Sequence, residues 1–351
     1  MGDGFMIYGA TGYTGALVAR AAASLGMTPL LAGRSEAKLQ RVTAPLGLAY
    51  RAFELADSRA LDAALTEVRA VLHIAGPFSH TSRPMLEGCL RTGRHYLDIT
   101  GEIEVFESCA GRESEARQAK IMVMPGVGFD VVPSDCLAAH MKRRLPDATA
   151  LTLAIGGLGQ MSHGTAKTAI ESLGVPARGR RGGRIVALER KLRREIDYGD
   201  GKLPSLAVGW GDVSTAHYTT GIPDITVFFQ SMPQLEQISG LGGFARWMLS
   251  RSLVQNWLKR RVKKLPAGPS DAERAAGHAV LVGEAVNAAG RRVVSRLRTP
   301  EGYTLTAQTS LEIVRRVLAG EVKPGFQTPG GLFGADFITG IAGCSREDVA
   351  G

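Results

Sequence analysis

Three glycines at intervals of three, Gly9, Gly12 and Gly15, punctuate the stretch YGATGYTG near the start of the chain. They follow the apolar run Phe5-Met6-Ile7 directly and lead into a stretch rich in Ala and Leu. Between a strand and a helix, this spacing suits a loop that cradles a dinucleotide pyrophosphate. The first glycine permits the tight turn, the second has no side chain to hold off the pyrophosphate, and the third lets helix pack on strand. The loop residues are Thr11, Gly12, Tyr13 and Thr14, and the N–H groups of Gly12, Tyr13 and Thr14 are expected to point at phosphate oxygens. A glycine triplet is a weak signal in a chain with 44 glycines, and its place after the first strand gives it weight.

The end of the second strand selects the dinucleotide. An NAD site sets Asp or Glu there to bind the ribose 2′-OH. This chain has Gly33-Arg34-Ser35 instead, with Lys38 one helical turn on. A guanidinium, a hydroxyl and an ammonium suit a 2′-phosphate, so the expected cofactor is NADP(H). Asp57, after the third strand, suits either the adenine amino group or the cap of the following helix. Ala75-Gly76-Pro77-Phe78 closes the fourth strand, close to the expected nicotinamide ribose, where small residues leave room.

Hydride transfer needs orientation and a proton source from the protein. YLDITGE offers Asp98, Thr100 and Glu102, and GVGFDVVPSD offers Asp130 and Asp135. Glu102 and Asp135 are expected in the first turns of helices, where the macrodipole favours them. Asp98 and Asp130 stand in apolar surroundings, and either acts in catalysis or orders a loop. Later in the chain, MSHGTAKTAIESLG sets Ser162, His163 and Thr165 before a helix. There His163 is a candidate proton donor toward a carboxylate or thioester oxygen, against an N-cap with a solvent-facing His. His80 is a further candidate acid, against a surface-loop residue. Tyr198 and Lys202 match the letters Tyr-x-x-x-Lys, but DYGDGKLP reads as a turn without the helix that pair needs.

The elements around these residues alternate strand and helix through the first 135 residues. Strands are expected at Phe5–Gly9, Thr28–Ala32, Tyr50–Leu55, Val71–Ala75, His95–Thr100 and Ile121–Pro125. Helices are expected at Tyr13–Leu25, from the Ser35 cap through Leu39, at Arg83–Thr92 and at Ile103–Ala119. Six strands in this order match a doubly wound, parallel α/β dinucleotide fold, the Rossmann fold. Ser134–Leu145 is a connecting helix. Strand-like segments at Thr149–Ile155, Arg184–Leu188 and Ile225–Gln230, with a hairpin of Ala279–Val286 and Arg292–Arg298, suggest a second α/β domain with a mixed sheet. The expected organisation is a cofactor domain over 1–135 and a substrate or dimerisation domain over 136–303. The segment from about 304 to 351, containing the helix Thr304–Leu318 and a Gly-rich tail, is expected to pack back on the first domain.

With 351 residues, two domains are the default, and 21% charged with 44% apolar residues is ordinary for a globular protein. The net charge of +9 favours acidic partners. Arg178–Arg194 carries eight Lys or Arg, most simply as a charged loop with an exposed strand. Phe244–Leu265 reads as an amphipathic basic helix with Trp247, Met248, Val254, Leu258 and Val262 on one face. Both segments suit an acidic acyl carrier or the periphery of an anionic membrane, and no nucleic-acid motif accompanies the charge. The four cysteines make no CxxC pair, so no metal is expected. Without a signal peptide or a run of about 18 apolar residues, the chain reads as a reduced cytoplasmic protein.

The chain resembles the saccharopine dehydrogenase-like oxidoreductases, and within them the branch of trans-acting enoyl reductases. GATGYTG, LAGRS, AGPF, YLDITGE and GFDVVPSD are similar to that family's N-terminal motifs in the same order. WGDVSTAHYTTGIPDITVF and FQTPGGLFG are similar to its later ones. His163 departs from the family, whose members commonly show Gly-Gly-Thr there. The resemblance implies an NADP-binding Rossmann domain followed by an α/β substrate or dimerisation domain, which leaves a homodimer open. It implies an NADP(H)-dependent oxidoreductase acting on an acyl or enoyl substrate, as a small molecule or on an acyl carrier. Two alternatives stay open: a saccharopine-type, amino-acid-linked imine reductase, and a membrane- or partner-associated cofactor-binding protein without turnover.

Overall fold

Short apolar runs followed by amphipathic stretches fold as the alternation they suggest. β1 (Phe5–Tyr8) leads into α1 (Tyr13–Ser24), β2 (Leu30–Gly33) into α2 (Glu36–Thr43), and β3 (Tyr50–Ala52) into α3 (Ser58–Thr66). β4 (Ala70–His73) precedes α4 (Phe78–Thr92), β5 (His95–Asp98) precedes α5 (Ile103–Ala110) and α6 (Glu113–Gln118), and β6 (Met122–Met124) precedes α7 (Val132–Arg144). Next come β7 (Ala148–Gly156), α8 (His163–Glu171), β8 (Arg178–Arg181), β9 (Arg184–Ala187) and β10 (Arg193–Asp197). β11 (Lys202–Val208), α9 (Asp212–Thr220), β12 (Asp224–Gln230), α10 (Asp271–Ala276), β13 (His278–Asn287) and β14 (Arg292–Pro300) follow. The chain then runs through α11 (Gly302–Leu318), β15 (Gly325–Phe326), α12 (Pro329–Phe333) and β16 (Ser345–Val349). This computed structural model describes residues 4–157, 159–160, 162–171, 176–189, 192–231, 251, 254–255, 257, 261 and 266–349. The expected basic helix over 244–265 falls almost wholly outside them.

Contacts divide the chain into two units, 1–132 with 303–332, and 133–302 with 333–351. The first unit holds a parallel sheet in the order β15-β6-β5-β4-β1-β2-β3. β1, β2, β4 and β5 are buried at every position, the signature of a sheet covered on both faces. Met6, Tyr8, Leu61, Leu65, Met85 and Tyr96 belong to one core cluster on this sheet. The order reverses between β1 and β4, which makes the ends of those strands the expected ligand crevice.

Three expectations need correction in this unit. The 103–119 helix is two helices, because the chain leaves the helical path at Arg112, with φ −98° and ψ 15°. The helix after β4 begins at Phe78, ahead of Pro84, since Phe78 and Ser79 find an acceptor for their N–H groups in Glu102. A seventh strand, β15, pairs with β6, and the Glu113 carboxylate accepts the Phe326 N–H.

The C-terminal segment divides at residue 332: α11 and β15 belong to the first unit, and β16 to the second. In that second unit the sheet order is β10-β11-β12-β7-β13-β14-β16, with β8 beside β12 and β9 beside β8. β12 and β7 run parallel while the β11–β12, β7–β13 and β13–β14 pairs are antiparallel, so the sheet is mixed. β16 adds to its edge through β14, and Asp348 there accepts from Ser295 at 2.8 Å. Within the basic run 178–194, Arg181, Arg184 and Arg193 are exposed, while Arg180 and Arg194 are tied down. Arg180 is buried, donating to the carbonyls of Val213 and Gly183 at 2.8 Å, and Arg194 bonds both oxygens of Glu284 at 2.7 Å. Among the described residues no helix is long and apolar enough to cross a membrane.

Candidate functional site

The glycine loop lies between β1 and α1, at the reversal in strand order. Gly9 has φ +95°, and a Cβ there would stand 2.8 Å from the Ala75 nitrogen. Only glycine fits. A Cβ on Gly15 would drive into the Gly9 carbonyl and come within 2.8 Å of the Ala10 Cα. Gly12 differs: it is exposed, and its nearest neighbour would be the Gly9 oxygen at 3.4 Å. The missing side chain at Gly12 therefore leaves space on the outer face. One expectation fails here, since the Gly12 N–H is turned inward onto the Gly9 carbonyl at 3.1 Å. Gly12, the N-cap residue of α1, offers no capping side chain, and the first turn carries no acidic residue, so the positive end of the helix favours an anion. Tyr13 packs edge to face on Tyr303 of α11, with centroids 5.1 Å apart.

The tip of β2 presents Arg34 and Lys38 exposed and Ser35 half-buried. Ser35 is the N-cap residue of α2, though its hydroxyl makes no cap bond to that helix. Thr11 lies beside this tip, its hydroxyl 3.9 Å from where a Gly33 Cβ would stand. Burial pushes the Tyr8 phenol up to about 12, and the nearby Arg34 charge works against that shift. Glu36, the nearest carboxylate in sequence, accepts from the Tyr50 hydroxyl at 3.1 Å. Asp57 takes its capping role, accepting the Ala60 N–H at 3.0 Å.

At the end of β4 the chain turns through Ala75, Gly76 and Pro77 into α4. The Thr81 hydroxyl lies 2.6 Å from the Ala75 carbonyl and 3.1 Å from that of Pro77, and His73 Nε2 is 3.0 Å from the same hydroxyl. His73 is fully buried, and desolvation pushes its imidazole down to about 3, so it is neutral. Glu102 closes the turn from the other side. Its two oxygens accept the N–H groups of Phe78 and Ser79, each at 2.8 Å. Glu102 is thus the N-cap residue of α5 by position, while its carboxylate serves α4. Sequence reasoning placed it on its own helix and missed this partner, 24 residues away. His80 is exposed in the first turn of α4, on a helix and not a loop.

Asp98 is fully buried and its oxygens meet three donors: Tyr96 Oη at 2.5 Å, and the N–H groups of Thr100 and Gly126 at 2.9 Å. Burial pushes its carboxyl up to about 6, against those hydrogen bonds. This geometry ties the ends of β5 and β6 together and fits the loop-ordering alternative. Asp130 is half-buried, with Oδ2 3.0 Å from the position of a Gly101 Cβ. Burial, and then the charge of Glu102, push its carboxyl up to about 7. The loop before Asp130 is held by α11: Thr306 Oγ1 accepts the Phe129 N–H at 3.0 Å, and Thr309 donates to the Val127 carbonyl at 2.9 Å.

The second unit holds the remaining candidates. Ser162 Oγ accepts the Thr165 N–H at 3.3 Å, so the motif at 162–165 is the cap and first turn of α8. His163 is half-buried there, and its N–H donates to the Ala267 carbonyl at 3.1 Å. Asp135, in the first turn of α7, accepts from the Thr219 hydroxyl at 2.6 Å. Tyr198 and Lys202 flank the turn between β10 and β11, with no helix to align them.

Residues 5–124 match the family described as the saccharopine dehydrogenase NADP binding domain. A trans-acting enoyl reductase of Mycobacterium leprae is 33% identical over 150 residues, covering 40% of this chain and 35% of that protein. A saccharopine dehydrogenase-like oxidoreductase of Homo sapiens is 27% identical over 195 residues, covering 48% of this chain and 46% of that protein. The match thus spans about a third of the mycobacterial relative and under half of the human one. Apo saccharopine dehydrogenase (L-Glu forming) from Saccharomyces cerevisiae superposes with a TM-score of 0.68 over 99% of this chain and all of that one, at 14% identity. At that identity the likeness is one of fold. The resemblance read from the motifs is borne out over residues 5–124, which match a nicotinamide-dinucleotide domain of the saccharopine dehydrogenase type.

Proposed function

We propose that the protein is an NADP(H)-dependent oxidoreductase that reduces an acyl or enoyl substrate, free or carried on an acyl carrier, by hydride transfer. The observation that carries this reading is the N-terminus of α1 behind an open Gly12, which brings no side chain of its own, at the reversal in strand order. In this reading Gly9 and Gly15 shape the loop, and Thr11, Gly12, Tyr13 and Thr14 line the pyrophosphate. Arg34, Ser35 and Lys38 take the 2′-phosphate, and Asp57 caps α3 instead of binding adenine. Ala75, Gly76, Pro77 and Phe78 border the nicotinamide ribose. When bound, the reduced nicotinamide supplies the hydride.

Asp130 holds the proton in this reading. A carboxyl pushed up to about 7 keeps a proton available near neutral pH and can give it up to a substrate atom. Asp98 positions the strand ends through its three bonds, and His163 has no assigned step. The neighbouring carboxylate of Glu102 disfavours a substrate that brings carboxylates of its own. That favours a neutral acyl or enoyl group over a saccharopine-type amino acid. Incubation with NADPH and separate panels of enoyl thioesters and 2-oxo acids with amines tests the reading. Oxidation of NADPH with the thioesters alone is the expected result. Oxidation only with 2-oxo acids and amines, or with neither panel, contradicts it.

A further inference from the structure

We infer that Glu102 is a positioning residue for the cofactor, holding the turn between β4 and α4 in the shape that receives the nicotinamide half. The inference rests on the NADP(H) reading above and extends it to a residue outside the glycine loop. In a doubly wound sheet the two halves of a dinucleotide lie over the two halves of the sheet, here β1–β3 and β4–β6. The turn at 75–79 belongs to the second half and touches the first, since Gly9 packs directly on Ala75.

That turn has two clamps of different origin. Thr81 reaches back from α4 to the carbonyls of Ala75 and Pro77. Glu102 reaches across from the β5–α5 connection to the N–H groups of Phe78 and Ser79, and gives each one oxygen. A carboxylate between two N–H groups at a helix start is a charge-assisted arrangement that fixes both the turn and the entry angle of α4. Glu102 is itself held by the connection it starts from. Its N–H donates to Thr100 Oγ1 at 3.1 Å, and the Thr100 N–H donates to the buried Asp98. The chain of bonds runs from the end of β5 to the start of α4.

A second consequence concerns where an anion binds. Glu102 fills the N-terminus of α4 with a carboxylate of the protein's own, whereas the N-cap residue of α1, Gly12, has no side chain and the first turn no carboxylate. Removing the Glu102 carboxylate would loosen the nicotinamide-side turn and leave two N–H groups that a small carboxylate can refill. The adenosine half, over β1–β3, does not depend on this clamp.

The test compares wild type, Glu102→Ala and Glu102→Gln in binding NADPH and adenosine 2′,5′-bisphosphate, in chloride and in formate at equal ionic strength. Glu102→Ala should bind NADPH roughly ten-fold more weakly and adenosine 2′,5′-bisphosphate as wild type does. Formate should restore most of the lost NADPH affinity in Glu102→Ala and leave wild type unchanged. Glu102→Gln, which keeps the volume and one acceptor, should fall between and carries the comparison if the alanine variant does not fold. Equal weakening of both ligands, unchanged NADPH affinity, or a loss that formate does not mend would overturn the role of Glu102. Wild type binding neither ligand would overturn the cofactor reading itself.

Discussion

The rings of Tyr13 and Tyr303 meet edge to face, with centroids 5.1 Å apart and an interplanar angle of 84°. One follows the glycine loop at the start of α1, and the other opens the segment by which the chain returns to the first unit. Tyr303→Ala should lower stability by about 1 kcal/mol beyond the lost burial and weaken NADPH binding, while Tyr303→Phe keeps both. Thermal unfolding and NADPH titration of the two variants check this. Equal behaviour of alanine and phenylalanine would deny the ring contact a role.

The glycines of the loop separate folding from binding. Gly12 has φ −78°, open to any residue, and its Cβ would meet nothing nearer than 3.4 Å. Gly12→Ala should therefore unfold at the wild-type temperature yet bind NADPH at least roughly ten-fold more weakly. Gly15→Ala should lose about 1–3 kcal/mol of stability or fail to fold, because its Cβ has no room against Gly9 and Ala10. Calorimetry beside ligand titration distinguishes the two. A destabilised Gly12→Ala would contradict the open face assigned to it.

Cofactor choice is assigned to the tip of β2. Arg34→Ala should weaken NADPH binding by about 1.5–3 kcal/mol and leave NADH binding nearly unchanged, as expected for one charge-assisted contact to a 2′-phosphate. Isothermal titration with each dinucleotide measures the difference. An unaltered preference would remove Arg34 from the phosphate site.

Asp98 makes stability depend on pH. Its folded-state pKa, pushed up to about 6 by burial, lies above the unfolded carboxylate value. The folded chain keeps a proton that the unfolded chain has lost, so stability falls as pH rises from about 4 to 6, by about 3 kcal/mol in all. Asp98→Asn should flatten that slope and still accept the Thr100 and Gly126 N–H groups. Asp98→Ala leaves both N–H groups without this acceptor and should cost about 1–3 kcal/mol for each. Urea unfolding across this pH range reads the slope, and an identical slope in Asp98→Asn would refute the assignment.

Local signals carried most of the first unit. Four-residue apolar runs, glycine spacing and turn residues are properties of neighbouring positions, and they gave β1–β6 in order. What stayed hidden depends on partners far along the chain. Glu102 caps a helix 24 residues earlier, Thr306 holds Phe129 across 177 residues, and β15 is too short for any periodicity to register. The same holds for β16, whose place follows from pairing with β14. At the site, the glycine loop was readable because backbone conformation constrains residue type directly. The division of labour among Asp98, Glu102 and Asp130 was not, since three carboxylates look alike until their donors are known.

The most direct test of the account is transfer of deuterium from NADPH labelled at the nicotinamide C4 to an enoyl thioester, read by mass spectrometry of the product. The account predicts a saturated acyl product carrying one deuterium, formed by wild type and strongly reduced in Asp130→Asn. Tight binding of the labelled cofactor without deuterium in any acyl product would contradict it.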